Sequence, residues 1–187
     1  MNLLEMKKKV LRLIEEISDN ETNLTDDPDI KEKMNDVTNQ VMFEVARMKK
    51  IPDYVEIEVT EGEVIKFEDI SSKSGYEVYQ IDVIRGIDYE MKAQGTIVKA
   101  LEDGTLEIEY FKYPKRITDD TVDANYVFEL SDDALEVMPY GIAADLLKSD
   151  ISNNYGQIYS QRYETMLQRL DPRYSMGSIY IEGGIEI

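Results

Sequence analysis

Apolar residues recur three and four positions apart at Leu3, Met6, Val10, Leu13, Ile14 and Ile17, the rhythm of a helix with one buried face. This predicts a first helix over residues 3–17. A second stripe, Ile30, Met34, Val37, Val41, Val45 and Met48, predicts another over residues 28–48. Asp27 suits its cap, Pro28 its first position, and Asp29 the positive end of its dipole. Ile51-Pro52 ends it, because the residue before a proline is driven toward extended backbone. Two helices joined by a polar connection predict an antiparallel pair. Within that connection Asp19, Glu21 and Asn23 resemble the start of a calcium loop. The glycine of the sharp turn and the bidentate glutamate are missing, so that reading is rejected.

At Tyr54 the period shortens to two. Val55, Ile57 and Val59 alternate with Glu56 and Glu58, as on a half-buried strand. Further strands are predicted over residues 63–67, 77–83, 96–101 and 105–113, with Glu102-Asp103-Gly104 as a hairpin turn between the last two. Gly62, Gly75, Gly86, Gly95 and Gly104 punctuate the block, which predicts an antiparallel β-sandwich or small barrel inserted between helices. Near its end Tyr110, Phe111 and Tyr113 form an aromatic cluster, with Phe111 and Tyr113 on one face and Tyr110 on the other. They read as core on at least one side, or as a platform for an aromatic or sugar ligand.

Beyond a polar return loop, the apolar run Tyr126, Val127, Phe128 and Leu130 leads to Ser131 as a helix cap, with Asp132 and Asp133 in the first turn. Met138-Pro139 should kink or restart that helix. Ala143 and Ala144 are small enough to let another helix approach closely. After a break at residues 149–154, with Ser152 or Asn153 as cap, a last helix runs to Asp171-Pro172. It carries Tyr155, Tyr159 and Tyr163 one turn apart, either as core against the preceding helix or as a stripe whose hydroxyl edge meets another subunit. In the arm over residues 173–187, Ile179, Tyr180 and Ile181 have strand character. That arm is a loose end, an extra strand on its own sheet, or a strand added to a neighbour. The fold class is therefore α+β: a bundle of about four helices from residues 1–53 and 115–172, with the β-domain of residues 54–114 inserted.

The order Pro139, Tyr140, Ala143, Ala144, Leu146 and Leu147, followed by Tyr163, Glu164 and Leu167, resembles the C-terminal helical half of head-tail connector (adaptor) proteins of long-tailed bacteriophages. A looser match covers residues 25–47, TDDPDIKEKMNDVTNQVMFEVAR. The resemblance implies a structural virion protein of the neck, assembled in the host cytoplasm, in a ring of about twelve copies. It also implies docking on the portal protein, a further contact with the next neck or tail protein, and passage of DNA without specific binding. Tyr155, Tyr159, Tyr163, Ile179, Tyr180 and Ile181 become candidates for subunit or portal contacts. The inserted β-domain is longer than in all-helical members, which leaves a related head-completion role open.

Composition narrows the chemistry. Cysteine and histidine are both absent, so disulfides, thiolate chemistry and imidazole bases or ligands are unavailable. Neither a phosphate-cradling glycine loop nor a nucleophile elbow occurs, and the expectation is a protein without enzymatic activity, metal or cofactor. Asp119, Asp120 and Asp123 read as a solvated turn, and Lys7, Lys8, Lys9 and Arg12 as a solvated helix face. Lys and Arg number 21 against 39 Asp and Glu, a net charge of −18, which disfavours tight binding to a phosphate backbone. Residues 54–114 alone hold 6 basic against 14 acidic side chains. No apolar run approaches the roughly 20 residues of a membrane span, and residues 1–13 lack the apolar core of a secretory signal. The competing function is a non-enzymatic ligand- or glycan-binding module acting through Tyr110, Phe111 and Tyr113.

Overall fold

The computed structural model describes residues 1–18, 24–149 and 154–170. Helix α1 (Leu3–Leu13) starts with a reciprocal cap: Glu5 N donates to Asn2 Oδ1 at 2.8 Å, and Asn2 N to Glu5 Oε2 at 2.9 Å. It stops one turn short of the predicted end, and Glu15 turns the chain with φ 61°. Helix α2 (Pro28–Lys49) is capped as expected, the Asp27 carboxylate accepting from the Asp29 and Ile30 amides at 2.8 and 3.2 Å. Asp19, Glu21 and Asn23 lie outside the described residues, as do Ser152 and Asn153.

Seven elements follow before the chain returns to the bundle: β1 (Ile51–Val59), β2 (Val64–Lys66), α3 (Phe67–Ser74), β3 (Val78–Gly86), β4 (Tyr89–Lys92), β5 (Ile97–Ala100) and β6 (Gly104–Lys112). They form two antiparallel sheets, in the order β1-β6-β3 and β2-β5-β4. Ile57, Val59, Ile84, Leu106, Ile108 and Tyr110 from the first share one apolar core with Ile65, Val98 and Ala100 from the second and with Ile70 of α3. Among the described residues no strand pairing joins the two sheets into a closed barrel.

The turn at residues 102–104 corrects an expectation. It does not close a hairpin, because β5 pairs with β2 and β4 while β6 pairs with β1 and β3. It carries the chain from one sheet to the other. Gly104 makes that crossing possible: its φ is 153°, and a Cβ there would sit 2.5 Å from Ile87 Cγ2. Consecutive antiparallel pairing within the β-domain is instead made by β4 and β5, across a single 3-10 turn at Ala93–Gly95.

Helix α4 (Asp132–Leu146) is the hub of the bundle, packing on α1, α2 and α5 (Tyr155–Leu170). It is apolar nearly all round, burying Ala134, Leu135, Val137, Met138, Ile142 and Ala143, as a helix with neighbours on several sides must. It runs through Pro139 as one element rather than restarting there. Ser131 occupies the cap position, yet its hydroxyl donates to the Asp133 carboxylate instead of serving a backbone amide. The return loop is fastened to α2 by Asn39, whose side-chain amide exchanges two 2.8 Å hydrogen bonds with the backbone of buried Ile117.

Candidate functional site

The tyrosine stripe divides between interior and surface. Tyr163 is 8% exposed, and its hydroxyl donates to Glu44 Oε2 at 2.7 Å, tying α5 to α2. Tyr159 is half-buried and donates to the Leu13 carbonyl at 2.6 Å, tying α5 to the end of α1. Tyr155, 58% exposed, stacks on Tyr159 with ring centroids 6.3 Å apart. The reason is helical geometry: four residues advance about 400°, so each step rotates the stripe by about 40° and two steps carry it from core to solvent. Hydroxyls expected at a subunit boundary are therefore used inside the chain at Tyr159 and Tyr163.

Close helix approach was expected at Ala143 and Ala144. Ala143 is fully buried and Ala144 half-buried, and a close approach is also made at Gly141, where a Cβ would lie 2.7 Å from Cε2 of Tyr163. A glycine within a helix gives no sequence signal of that kind, because its partner is more than twenty positions away. Ile179, Tyr180 and Ile181 lie outside the described residues.

Tyr110, Phe111 and Tyr113 do not assemble a ligand platform. Tyr110 is 1% exposed inside the β-domain core, whereas Tyr113 is buried in the helical core. Tyr113 lies just past the end of β6, where the chain has left the β core for the helical one. Tyr113 instead belongs to a seam joining the two halves. Its ring lies 5.0 Å from Phe43 and 4.6 Å from Tyr79, and its hydroxyl accepts from Arg47 Nε. Tyr79 donates to the Ala46 carbonyl at 3.2 Å, and Lys50 Nζ sits 4.5 Å from the Phe111 centroid. Next to this seam Lys112, 7% exposed, pairs with Asp53 at 2.9 Å and Glu129 at 3.0 Å.

Of the return-loop acids, Asp123 pairs with Lys7 at 2.9 Å. No group of three or more carboxylates is placed to hold a metal ion among the described residues. No helix among them is long and apolar enough to cross a membrane. Asp133 has its carboxyl held below the usual range by hydrogen bonds from Lys49 and Ser131. Comparison with protein-family models gives no match, and neither does comparison with curated proteins.

Burial raises the pKa of Tyr79, Tyr110, Tyr126, Tyr159 and Tyr163, so the fold is expected to lose stability in alkali. Burial pushes Tyr79 up to about 12, helped by Tyr113, and Tyr126 up to about 12, helped by Glu129. Tyr163 is raised by burial and by the Glu44 carboxylate. A phenol with a higher pKa folded than unfolded contributes stability that is complete below the unfolded value, about 10, and is lost as pH rises through the folded value. Urea midpoints should therefore hold steady to about pH 9.5 and fall between about pH 10 and 12, where the unfolded chain releases these protons first. A midpoint unchanged at pH 11.5 would show these rings to be open to water.

Proposed function

We propose that the chain is a structural subunit of the neck of a long-tailed phage virion, a head-tail connector. Its copies form a ring of about twelve beneath the portal and continue the DNA channel to the next neck or tail component. One observation carries this reading. The residues of the connector-like pattern lie in a single helix pair, Ala143 and Leu146 buried in α4 and Tyr163 in α5, while Tyr155 and Ile158 at the start of α5 remain exposed. With α4 buried among its neighbours, α5 alone keeps an exposed side, and that side is suited to stacking beside a copy of the chain. The net charge of −18 supports the channel role, since a duplex touching an acidic wall releases no counterions and does not adhere. Tyr155 contributes to the subunit or portal contact, and Ile179, Tyr180 and Ile181 add a strand to a neighbouring sheet.

The test is assembly. Electron micrographs of the chain, alone or mixed with a portal, should show rings, and a monomer that binds glycans but no portal would favour the ligand-binding alternative. Deleting residues 173–187 should leave the melting temperature unchanged but weaken docking to the partner ring at least tenfold, about 1.4 kcal/mol. Undiminished docking would remove the strand-addition role.

A further inference from the structure

The two halves of the chain expose faces of opposite charge. On the side of the first sheet turned away from the β core, β1 carries Tyr54, Glu56 and Glu58, and β6 carries Glu107 and Glu109. Arg85, paired with Glu109, is the only cation that these three strands turn to that side. Glu56 stands directly opposite Glu107 in the ladder, an arrangement that like charges make unfavourable. Among the described residues neither has an ion pair. Tyr54, 66% exposed, borders a hollow of about 360 Å³ shared with Asp82, Glu109 and Phe111.

Helix α5 has the opposite character. Ile158, Arg162, Thr165 and Arg169 follow one another along its outer side, at spacings of four, three and four, and line an open groove with Gln161. No carboxylate interrupts the stripe, although acids outnumber bases 39 to 21 in the chain. Arg162 lies 4.2 Å from the Tyr140 ring centroid, which holds its guanidinium along the helix while leaving its edge donors available. Among the described residues neither arginine forms an ion pair. Ile158, at the start of the stripe, is 53% exposed.

We infer that these faces are the two sides of one repeating contact, in which the α5 stripe of one copy docks on the acidic sheet face of the next. Arg162 and Arg169 meet Glu56, Glu107 and Glu109, and the like-charge repulsion across β1 and β6 is relieved by the arriving cations. Complementary charge of this kind selects the partner and fixes the register. Two different patches make a heterologous contact, which on repetition gives a ring when the rotation between copies closes and an open filament when it does not. The inference rests on the neck reading, since it names the subunit contact of that ring.

Charge reversal on the full chain tests it, with assembly followed by sedimentation velocity. One variant carries Arg162→Glu and Arg169→Glu, the other Glu56→Arg and Glu107→Arg. Each should associate at least tenfold more weakly alone, because like charges then face each other. Mixed in equal amounts they should assemble again, since both contacts between unlike copies are complementary. Arg169→Glu alone, which leaves the Arg162 and Tyr140 contact intact, should weaken association in the same direction with an unchanged melting temperature. Wild-type assembly should also weaken as salt rises from about 0.05 to 0.5 M, because exposed charges are screened. Rings that ignore either reversal, or a mixture that stays dispersed, overturn the inference and leave the neck reading standing. Assembly that obeys the reversals but never joins a portal removes the neck reading alone. A wild-type chain that stays monomeric at low salt, both alone and mixed with a portal, overturns both.

Discussion

Replacing Tyr163 by alanine should lower the unfolding free energy by about 3 to 5 kcal/mol, the range for deleting a buried aromatic ring. The ring fills the crevice that Gly141 leaves between α4 and α5, where not even a methyl group could replace the glycine hydrogen without meeting it. Truncation therefore opens a void between α4 and α5, which Gly141, having no side chain, cannot fill. Tyr163→Phe separates the two contributions. It keeps the packing and removes only the 2.7 Å hydrogen bond to Glu44, an exposed carboxylate that water can satisfy, so the expected loss is about 0.5 to 1.5 kcal/mol. Urea unfolding followed by circular dichroism measures both. A loss below about 1 kcal/mol for the alanine variant would place the ring outside the core. Against a total stability of about 5 to 15 kcal/mol, the expected loss is a large fraction of the whole.

What the sequence disclosed, and what it concealed, follows from the range of the interactions involved. The helices of the bundle were legible because their stripes are local: Met6 and Val10, or Met34 and Val41, announce a buried face without reference to any partner. The Asp27 cap and the alternation of Val55, Ile57 and Val59 are local in the same way. Short helix α3 was hidden because only Ile70 is buried, and a single buried residue has no period. Its end was marked by Gly75, which has φ 76° and donates its amide to Ser71 O. Strand β4 buries none of its residues, so no alternation showed. The turn at Asp103-Gly104 was recognised as a turn, but which sheet receives the next strand depends on Ile87 and the β core, not on the turn itself. Gly141 and Lys112 escaped for the same reason, since their partners Tyr163 and Glu129 are distant in sequence.

The candidate contact surfaces show the same division. Exposure of Tyr155 but not Tyr163 follows from 40° of rotation per step, which the sequence contains once the buried face is known. The acidic sheet face could not be recognised as one patch until the register set Glu56 against Glu107. The seam between the halves is also a tertiary product. Phe43, Tyr79 and Phe111 come from α2, β3 and β6, Tyr113 from the segment just past β6, and Arg47 and Lys50 approach them from the end of α2. Such a seam fixes the β-domain to the bundle at one end of β6.

Lys112 is where that coupling is most exposed to mutation, and Lys112→Met should cost about 2 to 3 kcal/mol at pH 7. Burial by itself would lower the lysine pKa, but hydrogen bonds to Asp53 and Glu129 outweigh it and raise the value above the ordinary one. The ammonium also lies 3.4 Å from the centroid of the Tyr76 ring. A lysine raised in this way contributes stability that is complete below its unfolded pKa, about 10.4, and is lost as pH rises through the folded value, so the full effect is present at neutrality. Breaking a fully buried pair costs about 3 to 5 kcal/mol, and exposure of the Asp53 and Glu129 side chains, 33% and 30%, reduces that through solvent screening. Methionine preserves length and apolar packing, which leaves the two carboxylates facing each other without a cation. The deficit should therefore shrink once pH exceeds about 10.4, where the lysine contribution begins to be lost, and urea melts of both proteins across pH 7 to 12 would show the two curves converging. Curves that stay parallel would assign the loss to packing around Tyr76 and not to the charge that joins β1, β6 and the return loop.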